Sequence, residues 1–274
     1  MVGALNGIHR ALDLLFLPFA KLNPFWGLFA ISIVTGVALV FAYKYTSNQA
    51  AIKHAKDLIK GHLLESWIYR EQVLVMLKAQ AKTLWANVIY VGANMKPFAV
   101  MLPPVLILVI TLNFRYGMRP LKPGEVALFK TERSSAVSLD QMDERLTVPD
   151  GVEIDGPPAR IESTGETYWR LKATKPGDYK VKVTASGTTY EKSVEVGEMG
   201  VRVAPVESAS LAKIAFYPGE ARITSGPLKT VEIAYPSDAP RVPFTGWRPH
   251  WILQYLVLSI IVGFALKGPL KVEI

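Results

Sequence analysis

The chain contains no cysteine. That excludes disulfides, thiolate catalysis and cysteine-ligated zinc or iron–sulfur centres, and it is compatible with any compartment. Histidine is nearly as scarce. The four, His9, His54, His62 and His250, fall on different predicted elements or eight residues apart along one, and none has a metal-ligating spacing. No G-x-S-x-G, S-x-x-K, phosphate-loop or dinucleotide glycine pattern occurs. Asp143 and Glu144, beside Arg145, have no recognisable partner for acid–base work, and Lys130 with Ser134 or Ser135 matches a Ser-Lys dyad by residue type alone. The chain therefore does not read as an enzyme, and no catalytic residue, metal or cofactor is expected.

Charge is missing from three apolar runs. FWGLFAISIVTGVALVFAY, Phe25 to Tyr43, carries none; NMKPFAVMLPPVLILVITLNFRYG, Asn94 to Gly117, is charged only towards its ends; WILQYLVLSIIVGFAL, Trp251 to Leu266, is closed by Lys267. Half of the 274 residues are hydrophobic and the mean hydropathy is +0.22, too apolar for one soluble domain and too polar for a chain buried wholly in lipid. Pro97, Pro103 and Pro104 would break a soluble core helix, whereas membrane helices accept prolines whose freed carbonyls find other partners. Three membrane spans are expected, at 25–43, 97–115 and 247–267, the last two drawing in Ala93 to Met95 and Trp247 to His250 to reach full length. The first 24 residues place Leu5, Ile8, Leu12, Leu15, Phe16 and Phe19 on one helical face, so an amphipathic helix in the interface is expected there.

Basic charge sets the expected orientation. Between the first two runs, residues 44–96 hold eight Lys and Arg against three acidic residues, whereas 120–245 is nearly balanced, with 16 basic and 18 acidic. Lys267 and Lys271 follow the third run. The positive excess marks the cytoplasmic side, which gives an outer N-terminus, a cytosolic loop, an extracytoplasmic 120–245 domain and a cytosolic tail at 268–274. A multi-pass protein of the inner (plasma) membrane is expected. The net charge of +8 then needs no nucleic acid to explain it, because a basic surface facing anionic lipid, a ribosome or cytosolic clients suffices.

In the cytosolic loop, Leu74, Leu77, Ala81, Leu84, Val88 and Val91 recur at alternating three- and four-residue steps, and Ile52, Ala55, Ile59 and Leu63 nearly do so. Two antiparallel helices extending the first two spans are expected, with a turn near Gly61 to Ser66. Their aromatics Trp67, Tyr69, Trp85 and Tyr90 fit either a rigid spacer with an aromatic core or a docking surface. The basic residues Lys53, Lys56, Lys60, Arg70, Lys78 and Lys82 are the docking candidates.

Beyond Leu121 the texture changes to short alternating runs broken by Pro-Gly turns at 123–124, 176–177 and 218–219. Trp169, Leu171 and Ala173, then Tyr179, Val181 and Val183, then Val194 and Val196, mark three strands, with two more expected at 213–217 and 230–235. The phrase PGDYKVKV resembles the late strands of bacterial immunoglobulin-like sandwiches. The fold class expected is thus membrane α plus all-β, with a β domain inserted between the second and third spans.

Within the spans the polar residues are Ser32, Thr35 and Thr111, Asn94, Lys96 and Asn113 at the ends of the second, and Gln254 and Ser259 in the third. Isolated serines and threonines in such helices usually bond their own i−4 carbonyl. No ionisable residue is central, which argues against a proton or ion path.

An interfacial helix, an N-out span, a basic helical hairpin and two more spans together resemble the three-span branch of the YidC-type insertase superfamily. The stretch MLKAQAKTLWANVIYVGANMKPFAVMLPPVLILVITL is similar to the Met-Lys-Pro and spaced-proline pattern of its archaeal members. That resemblance implies a groove among the spans that receives polar parts of a client, lined by some of Ser32, Thr35, Asn94, Lys96, Asn113 and Gln254, with the hairpin meeting the client or ribosome. Bacterial members carry a basic residue deep in the first core span, which this chain lacks. The expected function is membrane-protein insertion or assembly; the alternative is a non-catalytic accessory subunit of a larger inner-membrane complex, docked through the β domain.

Overall fold

The structure is a computed structural model that describes residues 23–134, 143–217, 222–270 and 272–273. The amphipathic helix expected over 1–24 lies outside these residues except for Asn23 and Pro24. The described helices are α1 (Pro24–Thr46), α2 (Gln49–Ile68), α3 (Val73–Leu112), α4 (Leu211–Phe216) and α5 (Trp251–Lys267). The strands are β1 (Val126–Arg133), β2 (Glu144–Thr147), β3 (Val152–Ile154), β4 (Ala159–Ile161), β5 (Glu166–Ala173), β6 (Gly177–Ala185), β7 (Thr188–Val196), β8 (Val206–Ser208) and β9 (Leu228–Ile233). The chain divides into two compact units, one β-rich (Met1–Leu28 and Val109–Leu253) and one helical (Phe29–Leu108 and Gln254–Ile274).

Among the described residues, two helical stretches are long and apolar enough to cross a membrane: α1, and α3 together with the short π-helix Asn113–Gly117 that follows it. The third run forms α5, whose 17 residues are fewer than the ~20 of a straight span. It starts at Trp251, so Trp247 to His250 stand ahead of the helix and outside it.

In the helical unit, Asn48 caps α2 by accepting from the Ala51 amide at 3.0 Å. The hairpin turn falls at 69–72, beyond the expected Gly61 to Ser66. An interior glycine costs only ~1 kcal/mol relative to alanine, less than ending a helix among Leu63, Leu64 and Glu65 would cost, so α2 runs through Gly61. Helix α3 is continuous for 40 residues, through Pro97, Pro103 and Pro104. The tail returns to α2: Val272 is buried, the Gln49 side chain accepts from the Glu273 amide at 2.6 Å, and Glu273 meets Lys56 at 3.2 Å.

The β-rich unit has two antiparallel sheets, β3-β5-β1-β9-β8 with β4 also on β5, and β2-β6-β7. Consecutive strands β5 and β6 lie in different sheets, so the Pro176-Gly177 turn crosses from one layer to the other. Phe129, Trp169, Leu171, Val231 and Ile233 from the first sheet and Val181, Val183 and Val194 from the second share one buried core. Opposed on β1 and β5, Phe129 and Trp169 stack edge to face with centroids 6.0 Å apart. The Tyr179 hydroxyl reaches back over the turn to the carbonyls of Lys175 and Pro176. Gly151, at φ +114°, lies under that ring; a Cβ there would stand 2.3 Å from Tyr179 Oη.

The three strands expected around Trp169 to Ala173, Tyr179 to Val183 and Val194 to Val196 are present as β5, β6 and β7, and the one expected at 230–235 lies two residues earlier, as β9. The strand expected at 213–217 is instead helix α4, since Leu211-Ala-Lys lead in with good helix formers and Ser210 sits at the cap position.

Candidate functional site: clefts among three helices

In the helical unit α1 and α5 meet closely because Gly36 has no side chain. A Cβ there would lie 2.9 Å from the Ser259 carbonyl and 3.0 Å from Val262. Around this contact Ser32, Thr35, Gln254, Tyr255 and Ser259 are all buried. The Thr35 hydroxyl donates to the Ile31 carbonyl at 2.7 Å, the i−4 bond expected of an isolated threonine in an apolar helix. Tyr255 faces Thr35 and Ser259, so the polar groups of α1 and α5 are turned towards one another.

Helix α3 meets α1 through a polar pair. The Tyr43 hydroxyl donates to Asn94 Oδ1, and Asn94 Nδ2 donates to the Tyr90 carbonyl at 2.7 Å. Two open clefts flank the line where Leu39 and Tyr43 of α1 approach Met101 and Val105 of α3. One, of about 290 Å³, adds Asn94, Phe98 and Leu102. The other, of about 250 Å³, adds Gly36, Tyr255, Ser259 and Gly263 among others. Their walls are almost entirely apolar.

Of the expected groove residues, Asn94 lines the first of these two clefts. Ser32, Thr35 and Gln254 are buried, and Lys96 is exposed. Asn113 belongs to the β-rich unit, where it borders a separate cleft with Phe114, Lys213, Tyr217 and Trp251. Leu39, Tyr43, Met101 and Val105 were not singled out by sequence reasoning. Their signal is an i, i+4 pair on each helix, indistinguishable in sequence from any other apolar pair.

Among the docking candidates, Lys53, Lys60, Arg70 and Lys78 are exposed. Lys82 is 3.3 Å from Glu65, which also accepts from His62, and the two bonds hold the Glu65 carboxyl below its usual range. Lys56 is engaged by Glu273.

The hairpin's apolar stripe is on its open side. Leu74, Leu77, Ala81, Leu84, Val88 and Val91 are all exposed, Leu74 by 75% and Leu84 by 70%. The buried positions of α3 in this region are Ala79 and Ala86, seven residues apart, with Ile52 and Ala55 buried on α2. Alanine at heptad spacing lets helices approach closely, and on α3 it lies on the face opposite the leucine and valine stripe.

The groups considered for chemistry are engaged elsewhere. Lys130 meets Glu166 at 2.6 Å, Glu144 accepts from Thr131, and Asp143 pairs with Arg145 at the surface. Ser135 lies outside the described residues. Among the described residues no cluster of His, Asp or Glu could hold a metal. The clefts offer no nucleophile or acid–base pair, and their chemistry is the accommodation of apolar groups beside one tyrosine–asparagine pair. No known protein family, curated protein or solved structure matches the chain.

Proposed function

We propose that the chain is a three-span membrane protein of insertase-like architecture, acting in the insertion or assembly of other membrane proteins. In this reading α1, the apolar part of α3, and α5 cross the inner membrane, with the hairpin in the cytosol and the β domain outside. The observation that carries it is the pair of clefts where Leu39 and Tyr43 approach Met101 and Val105, which offer apolar side chains of a client helix a place to pack. The eight basic residues of 44–96 supply the cytosolic orientation, and Phe244 and Trp247, both exposed just ahead of α5, suit the opposite interface.

One observation favours the rival, an accessory subunit without insertase activity. A groove that eases polar segments through lipid needs polar lining, and Ser32, Thr35 and Gln254 are buried while the cleft walls are apolar. In vivo photocrosslinking from Asn94 and Met101 separates the two. Adducts with many newly made membrane proteins support insertion; a single stoichiometric partner in place of clients sinks it and supports the subunit.

A further inference from the structure

The exposed stripe of the hairpin does not end with the hairpin. The alternating three- and four-residue step continues from Val91 to Met95, Phe98 and Leu102, so nine successive positions from Leu74 to Leu102 are apolar. All nine are exposed, and the last two, Phe98 and Leu102, also line the first cleft, so a copy seated on the whole stripe takes the place of a client there. Written as heptads, Leu74, Ala81, Val88, Met95 and Leu102 are a positions and Leu77, Leu84, Val91 and Phe98 are d positions. The three prolines fall outside both sets, and the buried Ala79 and Ala86 occupy f, the face turned away.

A period of 3.5 rather than 3.6 is the mark of a seam between supercoiling helices, because a straight helix would carry the stripe off the partner by ~20° each heptad. Lipid cannot cover all of it. At 1.5 Å per residue the 40 residues of α3 extend about 60 Å, twice the ~30 Å of a bilayer's hydrocarbon.

We propose that the occupant of this stripe is a second copy of the same chain, its α3 laid parallel to the first in a two-stranded coiled coil. The flanking charges permit it. Helix α3 carries Lys78, Lys82 and Lys96 and no acidic residue, so a pair of copies must keep these lysines off the seam. In a parallel pair Lys78, at e, faces Val73 at the partner's g, and Trp85 faces Gln80, so no two lysines are opposed across the seam. The nine positions extend about 42 Å. A contact of that length is in keeping with the roughly 800 Å² a side that stable complexes bury. The parallel sense rests on the membrane reading above, since two copies inserted with the same orientation present α3 in the same direction; the seam itself does not.

The absence of native cysteine makes the test clean. Single-cysteine variants of the full chain, Leu84→Cys, Val88→Cys and Val91→Cys, are oxidised in native membranes alongside the off-face controls Lys82→Cys and Thr83→Cys. The expected result is a disulfide-linked species of twice the chain mass at all three stripe positions, and its loss at both controls. Equal dimer at the controls, no dimer on the stripe, or an adduct with a different protein overturns the proposal. Dimer only from mixed pairs such as Leu74→Cys with Val91→Cys overturns the parallel arrangement. In lipid nanodiscs, Leu84→Glu with Val88→Glu should halve the particle's protein mass while leaving far-UV circular dichroism unchanged; a mass unchanged by the two glutamates also overturns it. Neither readout involves client insertion, so a failed insertase reading leaves this result interpretable.

Discussion

Glycine-to-alanine changes in three helical positions should differ in sign, and the sign follows from what a Cβ meets. In α2 a Cβ on Gly61, and in α3 one on Gly92, would have nothing within 4 Å. Each substitution should stabilise by ~1 kcal/mol, the interior helix preference for alanine over glycine. At Gly36 the same preference is opposed. The new carbon would sit 2.9 Å from the Ser259 carbonyl oxygen, a backbone atom that cannot rotate aside, and 3.0 Å from Val262. Overpacking of this kind costs ~1–3 kcal/mol, so Gly36→Ala should be neutral to destabilising by about 2, and Gly36→Leu clearly worse. Thermal unfolding of the purified chain in nanodiscs measures the set. With ~1 kcal/mol corresponding to about 2–4 °C for a chain of this size, Gly61→Ala and Gly92→Ala should raise the midpoint and Gly36→Ala lower it or leave it. A Gly36→Ala midpoint raised as far as that of Gly61→Ala would refute the close contact between α1 and α5, and with it the wall of the second cleft.

Other perturbations probe the β-rich unit and the tail. Gly117→Ala would place a carbon 2.3 Å from Asn113 Oδ1 and 2.4 Å from Trp251 Nε1, so it should destabilise by ~1–3 kcal/mol and shift tryptophan emission. The Arg119 fork, with both nitrogens 2.7 Å from Glu125, holds that carboxyl down to about 2 from 4.5. A lowered carboxylate contributes stability that is complete above 4.5 and is lost as pH falls through about 2. Taken whole the shift is worth ~3 kcal/mol, but the side chain is about a third exposed, so ~1 kcal/mol is expected, and Glu125→Gln should flatten denaturation midpoints measured between pH 5 and 2. Glu273 is likewise lowered, chiefly by its bond to Lys56; Gln49→Ala, which removes the acceptor for the Glu273 amide, should speed hydrogen exchange there. Exchange unchanged by Gln49→Ala would show that the tail is not held to α2.

Much of the β domain was legible because strands announce themselves locally. Alternation at Trp169-Leu171-Ala173 and Val181-Val183 has period two, and the Pro-Gly turns mark the breaks. The segment 213–217 overlaps LAKIAF, which is short enough to satisfy either period, and the helix formers Leu211 to Lys213 behind Ser210 decide it. The helices were legible as apolar runs, but which face each presents was not. An a/d stripe of leucine and valine reads as the inside of a hairpin, whereas the buried face of α3 is carried by Ala79 and Ala86. Small residues are weak sequence signals and strong packing signals, since they let two backbones approach while larger ones stand off. Gly36 is the same case. Its neighbours Thr35 and Val37 mark it as part of an uncharged run and those of Gly61, Lys60 and His62, mark a polar one, but neither setting says that one glycine is pressed against a carbonyl and the other faces open space.

The same logic decides where the polar residues of the helices went. A buried hydroxyl or carboxamide must find a partner, and in an apolar bundle the partners are other polar groups or the residue's own helix. Thr35 satisfies itself on Ile31 and Tyr43 bonds Asn94, while Tyr255 is buried towards Thr35 and Ser259 without a hydrogen bond to either. Each pairing removes a polar group from the surface that a client would meet. What remains on the open side of α1 and α3 is Leu39, Met101 and Val105, with the Tyr43–Asn94 pair at one end. Such a surface stabilises apolar side chains by shape and does little for a charge, whose cost at mid-membrane is ~3 kcal/mol on insertion scales. If the clefts receive clients, those clients should be hydrophobic helices seeking a packing partner, and charged segments should be excluded. An assembly role, in which a helix already in the bilayer is held until its own neighbours arrive, therefore follows more directly from these walls than the transfer of polar chain across the membrane.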